Sequence, residues 1–469
     1  MLLPNYMEAR KRTKEKVEKE YYSIDKKILD IGCNKSYYIK TYGCQMNEHD
    51  SENIKAMLEE LGFKESDNYQ EADLVILNTC SIRENAHNKA FGMLGRLKHL
   101  KEQKKNLVVG LCGCMAQEEK VVSEIINKYK WVNFVFGTHN IHRLPYLLAE
   151  NFKTNSLEVE VYSKEGNIIE GIPVKRASKY KAYVNIMYGC DKFCTYCIVP
   201  YTRGKQRSRD KEDILKEVND LKKEGYKEVT LLGQNVNAYG KDFEYTYNLE
   251  NLLEDVSKIG IPRMRFMTSH PWDFTDGMID VIKKYPNIMP AVHLPVQSGS
   301  SKILKLMGRR YTKEEYIELF DKIKKIPNVS VSTDIIVGFP NETEEDFLET
   351  LDLVNYCKFD NAFTFIFSPR EGTPAARLED KITLEEKEKR LYILNETVNK
   401  YFLENNKKLV GSKLKVLVDG PSEKDGMLYG YTETNKLINF YGDSDLIGKI
   451  VTVAVTDAKT WSLDGKVCN

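Results

Sequence analysis

The spacing of three cysteines near the middle of the chain constrains this protein more than any other feature of its sequence. Cys190, Cys194 and Cys197 form a Cys-x3-Cys-x2-Cys loop. Three thiolates this close together can bind three irons of a cubane iron–sulfur cluster and leave the fourth iron without a protein ligand. An open coordination position is what a catalytic metal site needs. The loop therefore predicts an enzyme.

Other uses of closely spaced cysteines fit this loop less well. A structural zinc site needs four ligands, and the sequence places no fourth Cys or His near the loop. A redox Cys-x2-Cys pair would leave Cys190 unexplained. Chance clustering is a poor explanation for three cysteines in such a short stretch, even in a chain with 10 cysteines. We therefore interpret the loop as an iron–sulfur site.

Length and composition limit the remaining classes of protein. A chain of 469 residues is long enough for about two to four domains. Its apolar fraction of 42% and charged fraction of 30% are those of ordinary soluble proteins. No apolar run approaches the roughly 18 residues of a membrane span, and the first residues are too polar for a signal peptide. We expect a cytoplasmic protein without a membrane partner, whose cysteines stay reduced.

The first part of the chain predicts an extension followed by a small domain. Residues 1–36 form a charged N-terminal extension without helix-capping signals, which we expect to be disordered or loosely helical. Residues 37–152 contain apolar runs at 37–42, 74–78 and 107–111, and amphipathic helical patterns separate them. Alternating strand and helix predicts a small doubly wound α/β domain.

Each of these three runs is followed by cysteine: Cys44, Cys80, and the pair Cys112 and Cys114. Loops after the carboxyl ends of parallel strands converge on one crevice, so three of these cysteines would form a second three-thiolate site. The alternative is a set of small buried residues, because free Cys is among the most buried residue types. We favour the metal site because the coincidence would have to occur three times. The residues alone do not decide between Cys112 and Cys114.

A longer unit follows a linker at residues 152–181. Residues 176–406 alternate between strand and helix six times, which predicts a partial (β/α)6 barrel that is open on one side. The predicted strands are 182–188, 228–232, 264–268, 291–295, 329–337 and 362–367. The Cys190 loop follows the first strand, at the end where barrel enzymes carry out their chemistry. Residues 409–469 predict a small antiparallel β-barrel, for which an accessory RNA contact and a simple packing role are equally consistent.

These features together resemble the radical S-adenosylmethionine (SAM) enzymes and, within them, the methylthiotransferases, whose C-terminal barrel is a TRAM domain. The resemblance covers residue 37 to the end of the chain. The runs that carry it are 189–204, 232–237, 268–271, 293–299 and 334–340. The runs at 268–271 and 293–299 favour the members that act on isopentenylated adenosine in tRNA. Other relatives act on threonylcarbamoyl-adenosine in tRNA or on an aspartate of a ribosomal protein.

The resemblance implies two [4Fe–4S] clusters as cofactors. Cys190, Cys194 and Cys197 would hold one, whose open iron binds SAM. Cys44, Cys80 and Cys114 would hold an auxiliary cluster that carries the transferable sulfur; the family pattern selects Cys114 because it precedes an apolar-Ala pair. Two SAM molecules would then be used to attach a methylthio group to C2 of N6-isopentenyladenosine at position 37, with both open irons facing one cavity.

The resemblance also suggests further cofactor contacts. Tyr196, Gln234, Asn235 and Gly338 are expected beside SAM, with Gly338 permitting a close backbone approach. Tyr196 is explained equally well as an aromatic side chain that only packs in the core.

The expected partners are a tRNA anticodon-loop adenosine and an electron donor such as a flavodoxin or ferredoxin, and we expect a monomer. Arg203, Lys205, Arg207 and Arg209, together with the pair Arg309 and Arg310, are candidate phosphate contacts. A solvated charged face and a cation beside the SAM carboxylate are the alternatives. From a different class, a non-catalytic iron–sulfur protein that binds RNA or carries electrons also fits the cysteines.

Overall fold

The computed structural model describes residues 1–11, 17–81, 84–424 and 426–468, with the backbone alone at 84 and 85. The chain forms two compact units. The first comprises Met1–Ala177, Met187–Phe193 and Cys197–Arg209, and the second comprises Ser178–Ile186, Cys194–Tyr196 and Asp210–Asn469. None of the described helices combines the length and the apolar character that a membrane span requires.

A six-stranded, entirely parallel sheet organises the first unit. In spatial order its strands are Lys64–Glu65, Ser36–Thr41, Leu74–Thr79, Val108–Gly113, Phe134–Phe136 and Glu158–Glu160. The three apolar runs of the sequence are the three longest strands of this sheet. The other three strands escaped prediction because runs of two or three residues are too short to show a periodicity.

Helices cover both faces of this sheet, as expected of a doubly wound domain. Gln45–Glu60 and Leu144–Thr154 pack on one face, whereas Glu84–Gln103 and Glu119–Lys128 pack on the other. The strand Leu74–Thr79 is buried along its whole length and sends alternate side chains into the two cores. Burial on both faces explains why it reads as a continuous apolar run.

The described parts of the N-terminal extension are folded. Asn5 caps the helix Tyr6–Arg10 by accepting hydrogen bonds from two backbone N–H groups. Lys19–Tyr21 forms a parallel pair with Ile168–Glu170. The helix Tyr6–Arg10 agrees with the helical alternative of the prediction, although the expectation of no cap is wrong. For Lys19–Tyr21 the prediction is wrong, because main-chain pairing with a distant strand outweighs the high charge of this segment. Residues 12–16 lie outside the described residues.

The predicted linker at 152–181 is also partly structured. It contains the strand Glu158–Glu160 of the parallel sheet and the strand Ile168–Glu170. The glycines at 166 and 171 adopt positive φ between and after these strands, which explains why the segment has the composition of a linker.

Six parallel strands form the core of the second unit, and they follow one another in sequence order. Their bounds are Lys181–Asn185, Glu228–Leu232, Arg263–Phe266, Ala291–His293, Ser330–Val337 and Asn361–Ile366. The first three and the last three each form a sheet, and a bridge from Met264 to Ile288 joins the two. The helices of this unit are Lys211–Lys223, Leu249–Ile259, Asp276–Lys284, Ser301–Leu306, Lys313–Ile323, Glu344–Cys357 and Leu384–Lys407. The predicted partial (β/α)6 barrel is confirmed.

The second unit ends in a closed five-stranded barrel. Its strands are Lys413–Pro421, Met427–Thr432, Leu437–Tyr441, Ile450–Ala458 and Leu463–Val467. All neighbouring pairs are antiparallel except Leu437–Tyr441 with Leu463–Val467, which is parallel. The expectation of a purely antiparallel barrel is therefore corrected at that pair, whose second strand the sequence analysis missed.

This C-terminal barrel contacts the amino ends of the core strands. Both terminal nitrogens of Arg263, at the start of its strand, donate to backbone carbonyls of the barrel, those of Tyr431 and Lys415, at 2.8 Å each. Lys181, at the start of the first core strand, forms an ion pair with Asp419. The carboxyl ends of the core strands are the opposite ends, and the cysteine loop follows the first of them.

Candidate active site

Three cysteines of the first unit lie at one edge of its parallel sheet. Cys44 is the N-cap of the helix Gln45–Glu60, Cys80 follows the strand Leu74–Thr79, and Cys114 follows the strand Val108–Gly113. The loops approach one another closely: a Cβ added at Gly43 would lie only 2.6 Å from the Cβ of Cys80. The topology thus brings three cysteines that are far apart in sequence to neighbouring positions.

A single buried side chain, that of Asn47, connects the three cysteine loops. Its amide nitrogen donates to the carbonyl of Tyr42 at 2.9 Å and to the carbonyl of Thr79 at 2.8 Å. Its amide oxygen lies 3.9 Å from the Sγ of Cys114. Asn47 therefore fixes the positions from which all three sulfurs project.

Burial, a cation and the neighbouring thiols all act on the pKa of Cys114. Burial raises the pKa of Cys114 to about 12, Arg203 opposes this shift, and the neighbouring Cys80 and Cys44 add to it. A site that disfavours thiolates in this way requires a compensating positive charge. A bound iron cluster and a nearby cation both supply one.

The cation beside this site is Arg203. Its Nε donates to the Sγ of Cys114 at 3.3 Å, and its Nη2 donates to Asp50 at 2.6 Å and to Asn47 at 2.8 Å. The side chain is buried, which opposes its charge, but Asp50 and Cys114 raise the pKa of Arg203 well above its ordinary value. Arg203 is thus a permanently charged donor to a candidate metal ligand.

The structure separates Cys112 from Cys114. Cys112 packs in the hydrophobic core with Ile76 and Phe134 on the side of the helix Gln45–Glu60. Cys114 lies past Gly113, whose φ is +90°, and a Cβ added there would lie 2.4 Å from the carbonyl oxygen of Thr79. Gly113 therefore allows the chain to turn so that Cys114, and not Cys112, joins the other two cysteines.

The Cys-x3-Cys-x2-Cys loop begins at another required glycine. Gly189 has a φ of +72°, and a Cβ there would lie 2.1 Å from the carbonyl oxygen of Lys205. The backbone N–H of Cys190 donates to the carbonyl of Gly204 at 3.1 Å. The start of the loop, at Gly189 and Cys190, is thus held by the segment 204–205, which follows the last cysteine of the loop.

The middle of the loop is anchored in the second unit. The Nη1 of Arg309 donates to the Sγ of Cys194 at 3.5 Å. The N–H of Thr195 donates to the carbonyl of Met307 at 2.9 Å, and its carbonyl accepts from the N–H of Ala375 at 2.8 Å. Each set of cysteines therefore has one buried arginine that donates to a cysteine sulfur.

The other predicted SAM contacts occupy different environments. Tyr196 packs against a core cluster that includes Met307 and Phe339. Gly338 directly follows the strand Ser330–Val337 with a φ of +68°, and the aliphatic part of Lys387 covers the side where a Cβ would stand. Gln234 is half-buried just past its strand.

Asn235 is the most informative of these residues. It is buried, and its amide nitrogen donates to Asp273 at 2.7 Å. Within the described ranges, no hydrogen-bond donor reaches its buried amide oxygen. A buried acceptor that is left without a partner is rare and marks a position where a ligand is expected.

Strained backbone lies at the carboxyl ends of the core strands. Thr268 has a φ of +69° and Gln297 a φ of +73°. Such conformations are costly for residues other than glycine and concentrate at functional sites. Both residues lie in sequence runs that carry the family resemblance.

The structure corrects the interpretation of the arginine-rich run as a phosphate-binding surface. Arg203, Arg207, Arg209 and Arg309 are all buried. Arg209 makes a bidentate ion pair with Glu170 at 2.7 Å for both bonds. These four side chains serve the interior of the protein. Lys205 is half-buried and Arg310 is exposed, so a phosphate contact stays a prediction for these two residues.

The two cysteine sets supply the thiolate donors that iron–sulfur clusters use. Among the residues that the structure describes, no three His, Cys, Asp or Glu side chains converge as one metal ion would require. Cysteines that each bind a different iron of one cluster do not need to converge on one point. Three sulfurs at one sheet edge, with a cation donating to one of them, suit a cluster with one open iron.

Comparison with known proteins agrees with this arrangement. Residues 184–354 match the radical SAM superfamily, residues 407–468 match the TRAM domain, and residues 36–137 match an uncharacterized protein family. A solved radical SAM methyltransferase, TsrM from Kitasatospora setae, has a similar fold, with a TM-score of 0.52 at 13% identity, over 82% of this chain and 81% of that one. Fold and site thus define a radical SAM enzyme.

Full-length relatives narrow the class. A protein of Bacillus cytotoxicus named tRNA-2-methylthio-N(6)-dimethylallyladenosine synthase is 55% identical to this chain, over 99% of this chain and 92% of the relative. The relative with the same name in Oceanobacillus iheyensis is 56% identical, over 98% of this chain and 90% of its own length. The chain belongs to the family of tRNA-2-methylthio-N(6)-dimethylallyladenosine synthases.

Sequence reasoning missed several residues of the site. Asn47 and Asp50 lie in a helix whose first turns are polar yet buried, and that run of polar residues directly after Cys44 was the available signal. Arg203 stood out only as one cation of a run. Its partners lie more than 80 positions away in the sequence, so no local pattern reveals them.

Proposed function

We propose that the chain attaches a methylthio group to C2 of N6-isopentenyladenosine at position 37 of tRNA, next to the anticodon. Isopentenyl is another name for the dimethylallyl group in the names of the relatives. The observation that carries the proposal is the pair of three-cysteine sets in a chain that is similar over its full length to synthases of this reaction. SAM cleavage requires only one set of three cysteines. The second set is explained by sulfur transfer.

Cys190, Cys194 and Cys197 would hold one [4Fe–4S] cluster, and Cys44, Cys80 and Cys114 would hold the other. When bound, these clusters and two molecules of SAM supply the radical chemistry and the transferable sulfur. The protein contributes the placement of six thiolates, three of them buried, and a sulfur contact from one buried arginine in each set.

The residues of the core have separate roles in this proposal. The unpartnered amide oxygen of Asn235 would accept a hydrogen bond from SAM, and Gln234 and Gly338 would lie at the same rim. Tyr196 would border the cofactor with one face while it packs against Met307 with the other. Its packing contacts support a positioning role.

We also propose the domain boundaries 37–152, 176–406 and 409–469, with 1–36 as an extension that folds against the first domain. The matched segments 36–137, 184–354 and 407–468 support this division. The proposed cytoplasmic location is consistent with a tRNA substrate. A flavodoxin or ferredoxin would supply electrons to a monomeric enzyme.

Anaerobic incubation of the reconstituted protein with SAM and dithionite tests the reaction class. Formation of 5′-deoxyadenosine is expected; its absence from a sample that holds both clusters would show a non-catalytic protein. Nucleoside mass spectrometry of tRNA from cells lacking the protein tests the substrate. We expect loss of the methylthio group from isopentenylated adenosine, and loss from the threonylcarbamoyl nucleoside alone would assign the chain to the other branch.

The two cysteine sets are separable by mutation. Cys44→Ala should still cleave SAM but transfer no sulfur, because only the auxiliary set is damaged. Cys194→Ala should lose SAM cleavage while keeping the iron of the auxiliary set. Sulfur transfer by Cys44→Ala at the wild-type rate would contradict the division of labour.

A further inference from the structure

One face of the sheet formed by the last three core strands is accessible. In the central strand, Ser330–Val337, alternate residues are fully buried under the helices, whereas Ser332, Asp334 and Ile336 are only partly buried. The neighbouring strand, Asn361–Ile366, exposes the side chains of the same face. We call this surface the open face; its members are Ala291, His293, Ser332, Asp334, Ile336, Asn361, Phe363 and Phe365.

Two phenylalanines dominate the open face. Phe363 is 44% exposed and Phe365 is 37% exposed. In register they stand beside Asp334 and Ile336. Two accessible aromatic side chains two positions apart on one face of a strand form an apolar platform, and contiguous exposed apolar patches mark ligand or partner sites.

A polar group of three side chains borders this platform. The Nδ1 of His293 lies 3.0 Å from the Oγ of Ser332, and its Nε2 lies 3.4 Å from the Oδ2 of Asp334. The imidazole ring meets the ring of Phe363 edge-on, with centroids 6.1 Å apart. Across the described part of the chain, no lysine or arginine forms an ion pair with Asp334. Among the described residues the imidazole of His293 is thus its ion-pair partner, and the carboxyl group keeps acceptor capacity for a ligand.

The open face is continuous with the cysteine loop. Ile336, two positions after Asp334 on the same face, packs in the cluster that contains Tyr196. Tyr196 precedes Cys197 directly. A ligand on the open face would therefore lie beside the residues that precede the last cysteine of the loop.

We propose that the open face seats the substrate nucleobase, with Phe363 and Phe365 packed against the adenine and its N6-isopentenyl group and Asp334 accepting the hydrogen bond of the N6–H. The proposal rests on the proposed function, because it assigns the substrate contacts of that same reaction. Aromatic side chains are the usual partners of unstacked bases in single-stranded RNA. A carboxylate that accepts from an exocyclic N–H is a recurring way of reading a base.

The same arrangement selects among N6 substituents. An isopentenyl group is neutral and apolar and suits the two phenylalanines. A threonylcarbamoyl group carries a carboxylate, which Asp334 would repel at close range. Like charges placed together are an effective means of rejecting a wrong partner. Asp334 is thus assigned as a specificity-determining residue.

The test uses the full-length holoenzyme and three anticodon stem-loop RNAs, which carry adenosine, isopentenyladenosine or threonylcarbamoyl-adenosine. Binding is followed by fluorescence anisotropy, and kcat and KM are measured separately for methylthio transfer. Phe363→Ala should weaken binding of the isopentenylated RNA roughly 10- to 100-fold, the usual effect of removing one aromatic stacking partner. RNA-independent SAM cleavage should stay unchanged, which reports that the variant is folded and loaded.

Asp334→Asn makes a separate prediction, because asparagine keeps the acceptor and removes the charge. Discrimination against the threonylcarbamoyl RNA should fall roughly tenfold or more, while the KM for the isopentenylated RNA changes little. Tyr392→Ala is the matched control, since Tyr392 is an aromatic residue exposed on a helix of the same unit. It should leave every measurement unchanged.

The outcomes distinguish this proposal from the function on which it rests. A wild-type protein that modifies none of the three RNAs refutes the proposed function. Suppose that the wild-type protein modifies the isopentenyladenosine RNA. If Phe363→Ala then binds and turns over that RNA normally, the proposed binding of the nucleobase on the open face is refuted. If Phe363→Ala loses RNA-independent SAM cleavage, Phe363→Leu is used in its place, because leucine keeps the apolar bulk without the ring. A wild-type KM of Phe363→Leu for the isopentenylated RNA would also refute the proposal.

Discussion

The Nε of Arg203 donates a hydrogen bond to the Sγ of Cys114 over 3.3 Å, although 89 positions of sequence separate the two residues. The same guanidinium is held by Asp50, so its position does not depend on the sulfur alone. Hydrogen bonds and positive charge near a cysteine ligand stabilise the reduced form of an iron–sulfur cluster. Arg203 is therefore placed to tune the auxiliary site.

Removing this arginine should lower the reduction potential of the auxiliary cluster. We expect a shift on the order of 60 mV for Arg203→Met combined with Asp50→Asn, which corresponds to about 1.4 kcal/mol for one electron. The double substitution avoids leaving Asp50 buried without its partner and keeps the net charge unchanged, so the shift reports the lost hydrogen bond to the sulfur. The measurement is an EPR-monitored redox titration of protein whose other cluster has been removed by Cys194→Ala.

The matched control for that titration is Arg209→Lys. Arg209 is an equally buried arginine of the same unit, held by Glu170. It should leave the potential of the auxiliary cluster unchanged. An equal shift in both variants would mean that any buried arginine of this unit affects the cluster, and the assignment of Arg203 would then fail.

Replacing the two neighbouring cysteines should have different effects. Cys114→Ala should lose about half of the iron and sulfide of the reconstituted protein, because one of two four-iron clusters loses a ligand. Cys112→Ala should keep the iron and lower the free energy of unfolding by about 1 kcal/mol, since it only vacates a core position. Iron and sulfide analysis after anaerobic purification decides the matter, and retention of all the iron by Cys114→Ala would contradict the ligand set.

Gly113→Ala should damage the same site without touching a sulfur. The new Cβ would stand 2.4 Å from the carbonyl oxygen of Thr79, at a φ of +90°. We expect a loss of about 1–3 kcal/mol in the free energy of unfolding, together with less iron, because Cys114 must move. Chemical denaturation and iron analysis measure the two effects.

Gly92→Ala is the control, because this glycine has space for a side chain. Gly92 lies in the helix Glu84–Gln103, and a Cβ there would meet nothing within 4 Å. This substitution should raise the free energy of unfolding by about 0.5–1 kcal/mol and leave the iron content unchanged. Equal behaviour of the two variants would show that Gly113 has no special role.

Arg263→Ala should loosen the C-terminal barrel from the core. It removes two hydrogen bonds to barrel carbonyls, while Glu228 keeps Arg265, whose Nε lies 3.4 Å from its carboxylate. Leaving a buried carbonyl without its donor costs about 1–3 kcal/mol. Limited proteolysis should release a fragment that begins near residue 409 well before it does so in the wild type.

Lys449→Ala is the control for that experiment, because the ion pair that the described residues give Lys449 is an exposed one with Asp445. Exposed pairs of this kind contribute at most about 1 kcal/mol, so the proteolysis pattern should not change. Faster release of the barrel from Lys449→Ala would mean that the assay reports barrel stability and not docking.

The sequence predicted the parts of the fold that depend on local pattern. Strands such as Leu74–Thr79 and Ser330–Val337 were found because burial on both faces or on alternate residues leaves a clear signature over six to eight positions. The positions of Cys44, Cys80 and Cys114 followed from one rule about parallel sheets, that the carboxyl ends of neighbouring strands meet.

The remaining features depend on partners that are distant in sequence. The strand Lys19–Tyr21 is short and fully exposed, and it exists only because Ile168–Glu170 offers a main-chain partner. Arg203 and Arg209 looked like surface cations because no local pattern shows that Asp50 and Glu170 neutralise them inside the unit. Charge in a sequence indicates exposure only until a tertiary partner is known.

The attachment of the C-terminal barrel has a consequence for how this chain can be varied. Arg263 donates its hydrogen bonds to the backbone carbonyl oxygens of Tyr431 and Lys415, and not to the side chains of these residues. Every amino acid supplies such an oxygen, so the residues presented there are free to diverge as long as the path of the chain is kept. Grafting the terminal module of a related synthase onto this core should therefore give a properly seated hybrid when the module also keeps an acidic residue at the position of Asp419, which pairs with Lys181.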